Sequence, residues 1–135
     1  MTENTPVKAP PNGNFVAPII FHIQSLYKEI YSIGNRIPKR DKLGLHAVVE
    51  KTCVQILGLS IRASLETGIE KRETIKELRI SIETLKHLAR AESELKIIKE
   101  NQYLFLQEKL QEISKEAVGW EKYANKTQHS NLSAG

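Results

Sequence analysis

The chain has 135 residues, of which 40% are hydrophobic, 27% charged and 6% aromatic, the dimensions of one globular domain. A single cysteine, Cys53, excludes an intramolecular disulfide, a cysteine-rich zinc site and an iron–sulfur site, and it suits a reducing cytoplasm. Against 16 acidic groups stand 20 basic ones, a net charge of +4; the apolar runs fall far short of the ~20 residues that cross a bilayer, and no basic-then-apolar leader opens the chain, so neither secretion nor membrane insertion is expected.

Residues 1–15 hold three of the five prolines and no apolar period, the composition of a disordered arm. A first helix is expected from near Pro18, where a missing N–H costs nothing, with Ile19, Ile20, Ile23, Leu26, Tyr27, Ile30 and Ile33 forming one stripe. Gly34 and Asn35 weaken its end and Pro38 bars Ile37 from the helical region, which places a turn at residues 36–41. The second helix is expected from Asp41, with its carboxylate as cap, to about Leu65. Its arc is broad (Leu45, Val48, Val49, Cys53, Ile56, Leu57, Ile61) and is relieved by Gly58, Ser60, Ala63 and Ser64, with Gly68 ending the helix in the left-handed conformation.

From Glu70 the pattern narrows to a two-in-seven seam, Ile75, Leu78, Ile82, Leu85 and Ala89, on a heavily charged helix. A break is expected near residues 96–99 although no Gly or Pro marks it. The last helix repeats the seam at Tyr103, Leu106, Leu110, Ile113, Ala117, Trp120 and Ala124, and residues 126–135 read as a flexible tail. Four amphipathic segments on short turns bury their stripes most economically as an all-α, up-down-up-down antiparallel four-helix bundle over residues 16–125.

Catalytic chemistry finds little purchase. The histidines, His22, His46, His87 and His129, are scattered. His46 with Glu50 and Glu83 with His87 form i, i+4 pairs, but the seams named above carry no carboxylate for a metal site, so the histidines read as surface or boundary residues. The glycines cradle no phosphate, Trp120 reads as core, and Tyr27, Tyr31, Tyr103 and Tyr123 are not interleaved with a basic strip as single-strand binders require. No enzyme activity, metal or cofactor is expected. Positive charge collects at Arg36, Lys39, Arg40 and Lys42, offset only by Asp41, a modest signal for a polyanionic partner.

That turn, Arg36-Ile37-Pro38-Lys39-Arg40-Asp41-Lys42-Leu43-Gly44-Leu45, is similar to an element of small bacterial and phage four-helix-bundle proteins. With the Glu94-Leu95-Lys96 element, Tyr103 and Gly119-Trp120, the chain over residues 27–125 resembles the Avd group, the accessory variability determinants of diversity-generating retroelements. A related group, encoded in intervening sequences of ribosomal RNA, ends its second helix on a stretch resembling SIxxNIAEG. Here the corresponding residues 59–68 read LSIRASLETG, without that asparagine or the AEG element. The Avd resemblance implies a non-enzymatic homopentameric barrel of bundles that binds a reverse transcriptase and RNA or cDNA through basic surfaces. Arg36, Lys39, Arg40 and Lys42 are the first contact candidates it implies. Arg72, Lys76, Arg79, Lys86 and Arg90, diluted by acidic neighbours, are the second. The competing readings are a structural or protein-interaction bundle of the intervening-sequence type without nucleic-acid binding, and a ferritin-like metalloenzyme.

Overall fold

A computed structural model describes residues 16–134, with side chains for residues 18–126. It contains α1 (Val16–Gly34), α2 (Lys39–Leu43), α3 (Leu45–Leu65), α4 (Gly68–Glu94) and α5 (Glu100–Ala134), with no strand among the described residues. Each of the four long helices packs on two neighbours, in the cyclic order α1, α3, α4, α5. Short connections make successive long helices antiparallel, the arrangement of a four-helix bundle. No helix among the described residues is long and apolar enough to cross a membrane. The arm expected at residues 1–15 lies outside the described residues.

The core is the four stripes laid together. Ile19, Ile23, Leu26, Ile30 and Ile33 come from α1; Val49, Cys53, Ile56, Leu59 and Ala63 from α3; Ile75, Leu78, Ile82, Leu85 and Ala89 from α4; Leu106, Leu110, Ile113, Ala117, Trp120 and Ala124 from α5. Steps of three and four keep such positions on one helical face. Cys53 is wholly buried, and desolvation pushes its thiol up to about 12, so it packs as a small apolar residue. Polar contacts stitch the outside: the His22 ring meets Glu116 at 2.8 Å between α1 and α5, and Arg79 forms an ion pair with Glu121 between α4 and α5. At the far end the Lys71 ammonium lies 5.5 Å from the centre of the Trp120 ring, a cation–π contact.

Three boundaries differ from expectation. Asp41 caps nothing: it lies inside the five-residue α2, whose first turn is set by Pro38, with the Lys42 N–H donating to the Pro38 carbonyl at 2.9 Å. Gly44, at φ −96° and ψ −114°, then breaks the chain before α3, where a Cβ would lie 2.9 Å from the Arg40 carbonyl. Gly68 does take a left-handed φ of 63°, but it opens α4, while α3 has already ended at Leu65. The third difference is α5, whose helix continues to Ala134; residues 126–134 contain no Gly or Pro to stop its propagation.

The expected break between α4 and α5 is present and is built without glycine. Lys96 has φ 61°, its N–H donates to Ser93 O at 3.0 Å, and the Ile97 N–H donates to Glu92 O at 2.9 Å. Those two bonds are the Schellman pattern, normally closed by Gly. At the start of α5 the Gln102 side-chain oxygen accepts the Lys99 N–H at 2.8 Å, half of a capping box.

Candidate nucleic-acid interface

Antiparallel alternation brings the end of α1, all of α2, the start of α3, the end of α4 and the start of α5 to the same end of the bundle. Arg36, Lys39, Arg40 and Lys42 are exposed there, and none of the four is in an ion pair among the described residues. The α4–α5 turn adds Lys96 and Lys99, both exposed. Arg36 and Lys99 both line a cleft of about 360 Å³ between α1 and α5, together with Glu29. Six cations thus share one end, where sequence reading had placed four. Lys96 and Lys99 were missed because two lysines in a separate turn become neighbours of Arg36 only through the bundle's alternation.

The second set has a different setting. Arg72, Lys76, Arg79, Lys86 and Arg90 follow one flank of α4, about 27 Å from first to last. Arg79 is paired with Glu121, Lys86 with Glu83 at 3.0 Å and Arg90 with Glu94 at 3.2 Å. Arg72 is half-buried, its Nε without a partner among the described residues. Lys76 and Arg79 border a shallow groove of about 340 Å³ with Ile80, Glu83, Thr84 and His87. Three cations of this flank are paired with carboxylates, whereas at the bundle end Asp41, Glu29 and Glu100 lie nearby but Arg36, Lys39, Arg40 and Lys42 hold no ion pair among the described residues.

Beneath the basic end lies a polar pair that the sequence reading placed wrongly. His46 is fully buried and not a boundary histidine, and α4 does project a carboxylate inward, from Glu92. His46 Nδ1 donates to Glu92 Oε2 at 2.6 Å and Nε2 donates to the Ile30 carbonyl at 2.8 Å, so one side chain ties α3 to α4 and α1. Burial pulls the imidazolium pKa down, but the bonds to Glu92 and Ile30 and the charges of Glu92 and Glu50 outweigh it and raise the value above normal. Gly34 gives this ring its space: a Cβ there would lie 2.9 Å from His46 Cδ2. With both nitrogens engaged, His46 offers no metal ligand, and no cluster of three or more His, Cys, Asp or Glu among the described residues could hold a metal ion. The signal for Glu92 was available, because the α4 seam steps from Ala89 to position 92.

The start of α5 carries a further arrangement that linear order conceals. Phe105 lines the Arg36–Lys99 cleft. Tyr103 lines a second groove of about 730 Å³ with Lys96 and Lys99. Aromatic and basic side chains therefore share both grooves, each of which also holds one carboxylate, Glu29 in the first and Glu100 in the second.

A family model described as bAvd-like matches residues 19–124. The span runs from the first buried core residue, Ile19, to the last among the described residues, Ala124. No curated protein and no solved structure matches the chain.

Proposed function

The chain belongs to the bAvd-like family, and on that premise we propose that it is a non-enzymatic accessory protein of a diversity-generating retroelement, acting in the cytoplasm and binding the reverse transcriptase and its template RNA or cDNA through the basic end of the bundle. The observation that carries this reading is the gathering of Arg36, Lys39, Arg40 and Lys42 with Lys96 and Lys99 at one end, the first four without ion-pair partners among the described residues. Phosphates neutralised there release counterions, which is the dominant source of sequence-independent affinity. The α4 flank serves as a weaker, secondary contact, because three of its five cations, Arg79, Lys86 and Arg90, already hold carboxylates. A homo-oligomer, pentameric by resemblance, is supported by apolar side chains left in solvent on α3, with Val54 52%, Ile61 42% and Leu65 81% exposed.

The test is charge reversal of Arg36, Lys39, Arg40 and Lys42 to Glu, with binding of template RNA followed against salt concentration. Each lost phosphate contact on a single strand lowers the slope of log K against log salt by about 0.7, so the variant should lose about 3 from that slope and bind far more weakly at low salt. Unchanged affinity and slope would remove the turn from the interface.

A further inference from the structure

We propose that the two grooves beside the start of α5 receive unpaired nucleotides of a single strand, with bases against Phe105 and Tyr103 and phosphates on Arg36, Lys99 and Lys96. This rests on the nucleic-acid reading above and specifies the ligand as a strand with free base faces. Phe105 and Tyr103 are two residues apart on one helix, so they project to opposite flanks of α5. The grooves they line, about 360 Å³ and 730 Å³, share Lys99 as a common wall. The two grooves together therefore offer the cations Arg36, Lys99 and Lys96 beside the aromatic rings of Phe105 and Tyr103, with one carboxylate in each, Glu29 and Glu100.

Single-strand binders need that combination of rings and cations, because each base contributes a π-face and each linkage a phosphate. Phe105 is 38% exposed, so part of its ring is open to a ligand, and the Lys109 ammonium lies 5.3 Å from its ring centre. Asn101 and Gln102 also line the smaller cleft. The Gln102 oxygen is held by the Lys99 N–H, so its amide N–H groups are the donors it has to offer a base edge. Tyr103 is half-buried, packed against the core, which holds its ring in place without removing it from the groove. A duplex keeps its base faces stacked on one another and would meet only the cations.

The experiment compares three probes on the full chain by fluorescence anisotropy: a single-stranded RNA, a strand of equal length carrying abasic sites, and the matching duplex. The intact strand should bind about 5- to 100-fold more tightly than the abasic one, the range expected for loss of base stacking. Phe105→Ala and Tyr103→Ala should bring the intact strand down to the abasic level and leave duplex binding unchanged, while Phe105→Tyr and Tyr103→Phe retain the preference. Unfolding midpoints of the variants separate loss of stacking from loss of fold. Equal binding of intact and abasic strands, or equal loss of strand and duplex in the alanine variants, overturns the base-binding proposal while leaving the basic end as a phosphate surface. Failure of all three probes to bind at low salt overturns the nucleic-acid reading itself.

Discussion

His46 is held through both ring nitrogens, Nε2 by the Ile30 carbonyl and Nδ1 by Glu92; burial disfavours the charged ring, but those bonds and the nearby carboxylates outweigh it and favour the imidazolium, paired with Glu92. Breaking such a pair costs more than never having built it, since the survivor keeps its desolvation penalty. His46→Leu strands a carboxylate that has no other hydrogen-bond partner, Oε1 being already unpartnered among the described residues; it should cost about 3–5 kcal/mol at neutral pH. Glu92→Leu should cost less, because a buried imidazole can shed its proton. The pH dependence follows from the direction of the shift. A histidine with a raised native pKa stabilises fully below its unfolded value of about 6.5 and loses that contribution as pH rises through the native value. Denaturant titrations between pH 6 and 9 should show wild-type stability declining as pH rises and His46→Leu/Glu92→Leu free of that slope; identical slopes would mean that the pair is not linked to folding. Sequence reading named His46 and its i, i+4 neighbour Glu50, but the decisive partner lies 46 residues away. Only packing of α3 on α4 could reveal it.

Lys96 occupies a backbone conformation that glycine adopts without steric cost. An L-residue at φ 61° costs roughly 1–2 kcal/mol, and the closing bonds from Lys96 and Ile97 are supplied by the backbone whatever the side chain. Lys96→Gly should therefore stabilise the protein by about 1 kcal/mol, a rise of about 3–5 °C in Tm for a chain of this size, and should weaken RNA binding by removing a cation from the basic end. A fall in Tm would show that the lysine stem packs in a way that outweighs its strain. The long elements were legible in the chain because each carries a stripe wide enough to bury: Ile75 to Ala89 on α4 and Leu106 to Ala124 on α5 lie where their spacing put them. The connections were less legible. Residues 39–43, KRDKL, form α2 without burying a side chain, so no apolar period announces it. Gly68 has the same left-handed φ whether it ends one helix or opens the next, and the choice was made by the exposed Leu65 and Glu66 N–H bonding back to Ala63 O at 3.3 Å.

At the scale of the whole molecule, a net charge of +4 is small for a nucleic-acid partner and matters less than its distribution. The α4 flank spends much of its positive charge on carboxylates of α4 and α5, whereas the turn cations at the bundle end remain available to a phosphate backbone. A single such end offers few contacts, but the proposed oligomer would hold several at fixed spacing, and a strand long enough to reach two of them binds the second at high effective concentration. The expected signature is a length dependence: template RNA spanning several ends should bind about 10²-fold or more tightly than an oligonucleotide that covers one, with the advantage disappearing under dilution into monomers. Analytical ultracentrifugation fixes the mass at each concentration, and binding isotherms for the short and long strands at the same salt give the ratio. A long strand bound no better than a short one by the intact oligomer would mean that the basic ends point away from one another. Each bundle would then engage its nucleic acid singly, through contacts made within one chain.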